Sequence, residues 1–91
     1  MELIFPNPSR SYDATRDGIR FWAYDQTMEV VFFVQAGALL KIDSHSKTDE
    51  ASLLDTFDVN RDRIHRLASK IYARRQFGSH VYSFTLTASD L

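Results

Sequence analysis

The chain has 91 residues, 44% of them apolar and 25% charged, with a formal net charge of −1; eleven Phe and Tyr accompany a single Trp. That is the make-up of one folded domain over residues 1–91, with a modest core, and it does not fit a disordered chain. The absence of cysteine excludes disulfide scaffolds, thiolate zinc sites, cysteine nucleophiles and thiol redox switches, and it suits a reducing cytoplasm.

The opening residues lack a basic n-region and their apolar run stops at Pro6, so no secretory signal is expected. The longest uninterrupted apolar run, 30–34, is far short of the ~20 residues a membrane helix needs. A soluble cytoplasmic protein with no membrane partner is the expectation.

Leu3-Ile4-Phe5 reads as a short strand closed by Pro6 and Pro8, because proline lacks a ladder donor and pushes its predecessor toward extended geometry. Residues 9–18 are polar and turn-rich. Residues 19–24 alternate, with Ile19, Phe21 and Ala23 on one face and Arg20, Trp22 and Tyr24 on the other, as a strand does. The short polar link Asp25-Gln26-Thr27 leads into 28–35, the strongest strand signal in the chain. Two such runs so close together predict an antiparallel hairpin. A buried helix over 30–34 is the alternative, which β-branched and aromatic enrichment disfavours.

A short helix is predicted over 36–42, then a polar loop over 43–48. Thr48 offers an N-cap to a helix running to about Phe57, with Asp49 and Glu50 in a first turn that suits carboxylates. Asp58-Val59-Asn60 supplies cap residues for a second helix over 61–75, burying Ile64, Leu67, Ala68 and Ile71. One kinked helix through Asp58 is the alternative. Gly78 is placed as a stop, and residues 80–87 alternate as a closing strand. The order β-β-β-α-α-α-β implies an α+β fold: a small, mainly antiparallel sheet with helices on one face.

The net charge hides an uneven distribution. Arg61, Arg63, Arg66, Lys70, Arg74 and Arg75 face only Asp62 within 61–75, whereas the remaining residues set five cations against eleven carboxylates. At 100° per residue, Arg63, Arg66, Lys70 and Arg74 share an arc of roughly 80° and span about 16 Å, comparable to a few backbone phosphates. These four are the candidate anion or nucleic-acid contacts. A solvated face, or pairing with the chain's own carboxylates, is the preferred explanation. Nucleic acid and an acidic protein partner follow, and a pI near 6.3 counts against nucleic acid.

With glycine only at 18, 37 and 78, there is no phosphate-binding loop, dinucleotide fingerprint or nucleophile elbow. Asp58-x-Asn60-x-Asp62 resembles the start of a calcium loop, but Arg63 occupies the glycine position and Ser69 the place of the bidentate glutamate. His45, His65 and His80 fall in a loop, a helix and a strand without ligand spacing. A non-enzymatic protein without metal or cofactor is expected.

Strand 28–35 is apolar on both faces: Val30, Phe32 and Val34 on one, Val31 and Phe33 on the other. A sheet with helices on one side needs only one apolar face, so the second calls for a cover. The cover could be another part of the chain, a second copy or a ligand; Trp22, Tyr24, Val31 and Phe33 are the candidate interface, and a homodimer is the assembly to test.

Several segments carry a family likeness: Phe5-Pro6-Asn7-Pro8; Ser11-Tyr12-Asp13 followed by Ile19-Arg20-Phe21-Trp22; Phe57-Asp58-x-Asn60-Arg61-x-x-Ile64; and Leu86-Thr87-Ala88-x-Asp90-Leu91. Together they resemble the bacterial family of short proteins known as domain of unknown function 1488. The resemblance implies a small cytoplasmic α+β protein and no particular activity. The functional expectation is an interaction module that self-associates, with a nucleic-acid-associated regulator using the 61–75 helix as the second reading and an enzyme as the third.

Overall fold

The computed structural model of the chain describes residues 3–6, 10–44, 47–74 and 82–91. The expected stop at Gly78, the histidines His45 and His80, Arg75, and the start of the closing strand at His80 and Val81 lie outside the described residues.

Two alternating runs pair as the sequence predicts, forming β2 (Gly18–Asp25) and β3 (Met28–Gln35). They are antiparallel, with Phe21 opposite Phe32 and Trp22 opposite Val31. The turn is tighter than expected: Asp25 pairs with Met28, leaving two residues, and Gln26 has φ 56°. A positive φ at the first turn residue suits the right-handed strand twist. Helices α1 (Ala36–Ile42), α2 (Glu50–Val59) and α3 (Arg61–Ala73) follow, and β4 (Ser83–Leu86) returns parallel to β3. A 3-10 turn, Ala88–Asp90, comes last.

The first strand is not the Leu3-Ile4-Phe5 run that the prolines close. Residues 3–5 contribute a single bridge, in which the backbone N–H and C=O of Ile4 exchange hydrogen bonds with Tyr24 at 2.9 and 2.8 Å. The strand that completes the sheet is instead β1 (Arg10–Asp13), antiparallel to β2. Only Tyr12 in it is apolar, so no periodicity announces it. The Asp13 carboxylate then accepts from the backbone N–H groups of Thr15 and Arg16, both at 3.1 Å, a local turn that competes with strand propagation. The result is an α+β fold with strand order β1-β2-β3-β4.

The inner face of the sheet carries Ile19, Phe21, Ala23, Val30, Phe32, Val34 and Leu86, all buried against Leu39, Leu53, Phe57, Ile64, Ala68 and Tyr72 of the helices. The stripe of α3 is rotated from expectation. Ile64, Ala68 and Tyr72, at four-residue spacing, are buried, while Leu67 and Ile71 flank them half-buried. Tyr72 enters the core because its hydroxyl donates to Asp25 at the end of β2, satisfying a polar tip that burial would otherwise penalise.

The α2–α3 question resolves as two helices, broken at Asn60. The cap of α2 is Asp49, one residue beyond Thr48. Its carboxylate accepts from the Ser52 backbone N–H at 3.1 Å and from the Ser52 hydroxyl at 2.7 Å, and these bonds hold its pKa below the usual value. Asn60 does not cap α3 through its side chain. Its amide turns back and donates to the Thr56 carbonyl at 2.9 Å, closing α2 instead.

Candidate interaction surfaces

Pleating sends Trp22, Tyr24, Val31 and Phe33 to the sheet face opposite the helices, together with Arg20 and Glu29. The register places Trp22 beside Val31, Tyr24 beside Glu29 and Arg20 beside Phe33. The four candidates thus share one surface. None of them belongs to the hydrophobic core or to the partly buried side chains packed on it.

They are not equally available. Phe33 is 3% exposed. The Arg16 guanidinium lies over its ring, 4.1 Å from the centroid, and the ring packs into the space above Gly18, where an added Cβ would come within 2.4 Å of Phe33 Cζ. Part of the second apolar face is therefore covered by the chain itself, through a residue in a turn that no periodicity singles out. Trp22, Tyr24 and Val31 are less completely covered and remain partly accessible. Around them, Arg20 pairs with Asp13 at 2.9 Å, and the Tyr24 hydroxyl approaches Glu29 at 3.4 Å. Arg16 and the Arg20–Asp13 ion pair thus sit at the Phe33 end of this face, and Glu29 at the Tyr24 end.

The second surface is on α3. Arg63, Arg66, Lys70 and Arg74 are all exposed. Among the described residues none of the four makes a salt bridge, which differs from the expected pairing with the acidic remainder of the chain. The ion pairs form elsewhere. Arg10 of β1 meets Asp58 through two bonds of 2.9 and 2.8 Å, and Arg61 reaches the same carboxylate at 2.6 Å. These arginines keep the Asp58 carboxyl below the usual carboxylate range, against the opposing effect of burial. Asp58 and Asn60, read from sequence as cap residues, are thus spent on tying β1 and the α2 terminus together.

With no ion pair among the described residues, the stripe's own cations largely oppose its helix, Asp62 four residues before Arg66 being the exception. Arg63–Arg66, Arg66–Lys70 and Lys70–Arg74 are like-charge pairs at helical neighbour spacing, each destabilising by about 0.2–0.5 kcal/mol. Arg63 also sits in the first turn of α3, where the helix dipole disfavours a cation. Arg63, Arg66 and Lys70 line a cleft of about 240 Å³ with Leu67, and its other wall is Asp90 and Leu91. That wall is braced by a capping box, in which the Thr87 backbone N–H donates to the Asp90 carboxylate at 2.7 Å. Lys41 Nζ also donates to the Ala88 and Leu91 oxygens at 3.0 and 3.3 Å. The Thr87-x-x-Asp90 spacing is a legible cap signature; nothing local links it to α3.

His65 is the one described histidine, and it serves packing. Its ring lies flat on Phe5 at 3.9 Å and 7°, with Phe21 and Phe57 nearby. Burial, reinforced by Arg61 and opposed by Asp62, lowers its pKa. Among the described residues no group of three or more His, Asp or Glu is placed to hold a metal, and no helix is long and apolar enough to cross a membrane.

Residues 3–83 match the family described as protein of unknown function (DUF1488). The chain belongs to that family. It is similar over 92% of its length, and over 90% of the other chain, to the crystal structure of a DUF1488 protein of unknown function from Shewanella loihica PV-4. The identity is 19% and the TM-score 0.78, a likeness that shows the fold alone. No functionally curated protein matches the chain. Membership in DUF1488 therefore agrees with the fold and brings no catalytic or binding residue with it.

Proposed function

We propose that this DUF1488 protein is a non-enzymatic interaction module that pairs with a second copy of itself through the open face of its sheet. One observation carries the reading: Trp22, Tyr24 and Val31 stand together on a sheet face outside the hydrophobic core, and among the described residues no helix is packed over them.

Charge argues for a second copy as the occupant. A two-fold interface uses the same patch on both subunits, so the patch must complement itself. A two-fold axis lying in the contact plane and crossing the strands at the Trp22–Val31 level would set these residues against their own copies. The same operation would bring Arg16, beside the Arg20–Asp13 pair, of one sheet over Glu29 and Tyr24 of the other. Catalysis gains no comparable support. The polar lining of the α3 cleft comes from three cations and a carboxylate already engaged by Thr87, with no nucleophile set beside a base.

Light scattering over a concentration series into the high micromolar range tests the reading. The expected mass is that of two chains, reverting to one in Trp22→Asp and in Val31→Lys, with Ser44→Ala unchanged. A specific dimer should also bury at least about 1,000 Å² in a crystal. A single-chain mass at every concentration, or a dimer indifferent to both substitutions, would remove the proposal.

A further inference from the structure

We propose that the cleft between α3 and the Ala88–Asp90 turn is a binding site for phosphate groups, with Arg63, Arg66 and Lys70 as its anion-binding residues. The site is separate from the sheet face and does not depend on self-association. Three observations meet in it.

The cleft is built from two walls. The cationic wall is one face of α3, where Arg63, Arg66 and Lys70 flank the apolar Leu67; the opposite wall, Asp90 and Leu91, is held by the Thr87 capping box and by Lys41. Its volume of about 240 Å³ admits a phosphate together with part of the group that bears it.

The cations are also in excess. None of the three has an ion-pair partner among the described residues, and a single carboxylate, Asp90, borders them, held by the Thr87 N–H and hydroxyl at 2.7 and 3.1 Å. Like charges gathered along a low-dielectric wall focus a positive potential into the space between. Helix stability accounts for only part of the set: the dipole suits Lys70 in the last turn of α3, but it disfavours Arg63, and the spacing of Arg63, Arg66 and Lys70 is mutually repulsive. A bound anion would reverse both effects.

Spacing selects the chemistry. Arg63 and Lys70 lie about 10 Å apart along the helix axis, the rise of about three phosphates on one strand. Two guanidinium forks suit tetrahedral oxyanions through paired N–H donors, and lysine adds a point charge. Leu67 and Leu91 provide apolar surface for a sugar or base beside the charge. Arg74 continues the stripe beyond the cleft, which favours an extended polyanion, the backbone of a nucleic acid, over a small phosphorylated molecule as the source of the phosphate.

Fluorescence anisotropy with single-stranded and duplex oligonucleotides of about twenty residues, and melting curves in millimolar inorganic pyrophosphate, distinguish the sources. Three phosphate contacts on duplex predict a log–log salt slope of about −2.7, a loss of about forty-fold between 50 and 200 mM salt. Arg66→Glu with Lys70→Glu should reduce affinity more than ten-fold without lowering the melting temperature, because both side chains are exposed and make no ion pair among the described residues. Arg66→Gln with Lys70→Gln repeats the test without charge reversal. Stabilisation by pyrophosphate that these variants abolish, with no oligonucleotide binding, would keep the phosphate site and assign it to a small ligand. No response to either probe at low salt, or binding that survives in both double variants, would overturn the proposal.

Discussion

Arg16 covers Phe33 from a turn seventeen residues earlier in the chain, its guanidinium carbon 4.1 Å from the ring centroid. The pair shows how an aromatic residue on the helix-free face of the sheet becomes 97% inaccessible without joining the core. A cation over a ring face is attracted by its quadrupole, worth about 0.5–1 kcal/mol where solvent competes. Below the ring, the contact depends on the absence of a side chain at position 18.

Gly18→Ala should therefore destabilise the fold by about 1–3 kcal/mol, the usual range for forced overpacking. The added Cβ would lie 2.4 Å from both Phe33 Cζ and the Val34 carbonyl oxygen. Phe33→Ala in the same chain should not rescue it, because the backbone oxygen stays in place. Urea unfolding of the single and double variants measures both statements; full recovery in the double variant would show that the ring alone was the obstacle.

Stability should fall as pH drops below about 6.5, the ordinary histidine value. His65 has a lowered pKa in the folded state, chiefly through burial and then through Arg61, so the unfolded chain takes up the proton first. The sign follows: full stability above the unfolded pKa, lost as pH falls through the folded one. Denaturant midpoints between pH 7.5 and pH 5, with NMR titration of the His65 ring, give the size of the step. His65→Phe, which keeps a flat ring against Phe5, should abolish it. A step of equal height in that variant would assign it to another group.

Asp58→Asn should cost about 1 kcal/mol or less, since its ion pairs with Arg10 and Arg61 are partly solvent-screened. Its lowered carboxyl pKa places the corresponding pH effect in acid: stability present above the unfolded pKa near 4 and lost as pH falls through the folded value. Arg10→Ala should produce a similar loss, and the double variant should lose less than the sum of the two. Strict additivity in thermal melts would mean that the bidentate contact contributes nothing.

The parts of the fold that were legible in the sequence are those where one residue's neighbours decide its state. Alternation located β2 and β3, and the helical stripe Ile64, Leu67, Ala68 and Ile71 located α3, although its buried line proved to be Ile64, Ala68 and Tyr72. Where partners lie far along the chain, the signal vanishes. Arg10–Asp13 is a strand because β2 offers it a ladder, and Arg10 is anchored by a carboxylate forty-eight positions away. Tyr72 is buried because Asp25 receives its hydroxyl. The basic stripe was visible at once as a helical arc, and the candidate interface residues as one pleat of the hairpin. What remained hidden was the wall opposite the stripe, because no local pattern brings Asp90 and Leu91 against α3.

The parallel pairing of β4 with β3 has a consequence for how the protein must be made. Val31 bonds to Tyr82 through its backbone N–H, 2.8 Å from the carbonyl oxygen, and the Val31–Ser83 register spans the whole helical layer. A ribosome releases the most apolar strand of the chain long before the strand that seals its outer ladder. In that interval the hairpin presents an unsatisfied row of amide and carbonyl groups beside Val30, Phe32 and Val34, the template on which nascent chains stick to one another. The protein's exposure to aggregation is therefore set by how quickly three helices fold over the sheet and carry the last strand home, and it is greatest while the chain is still being synthesised.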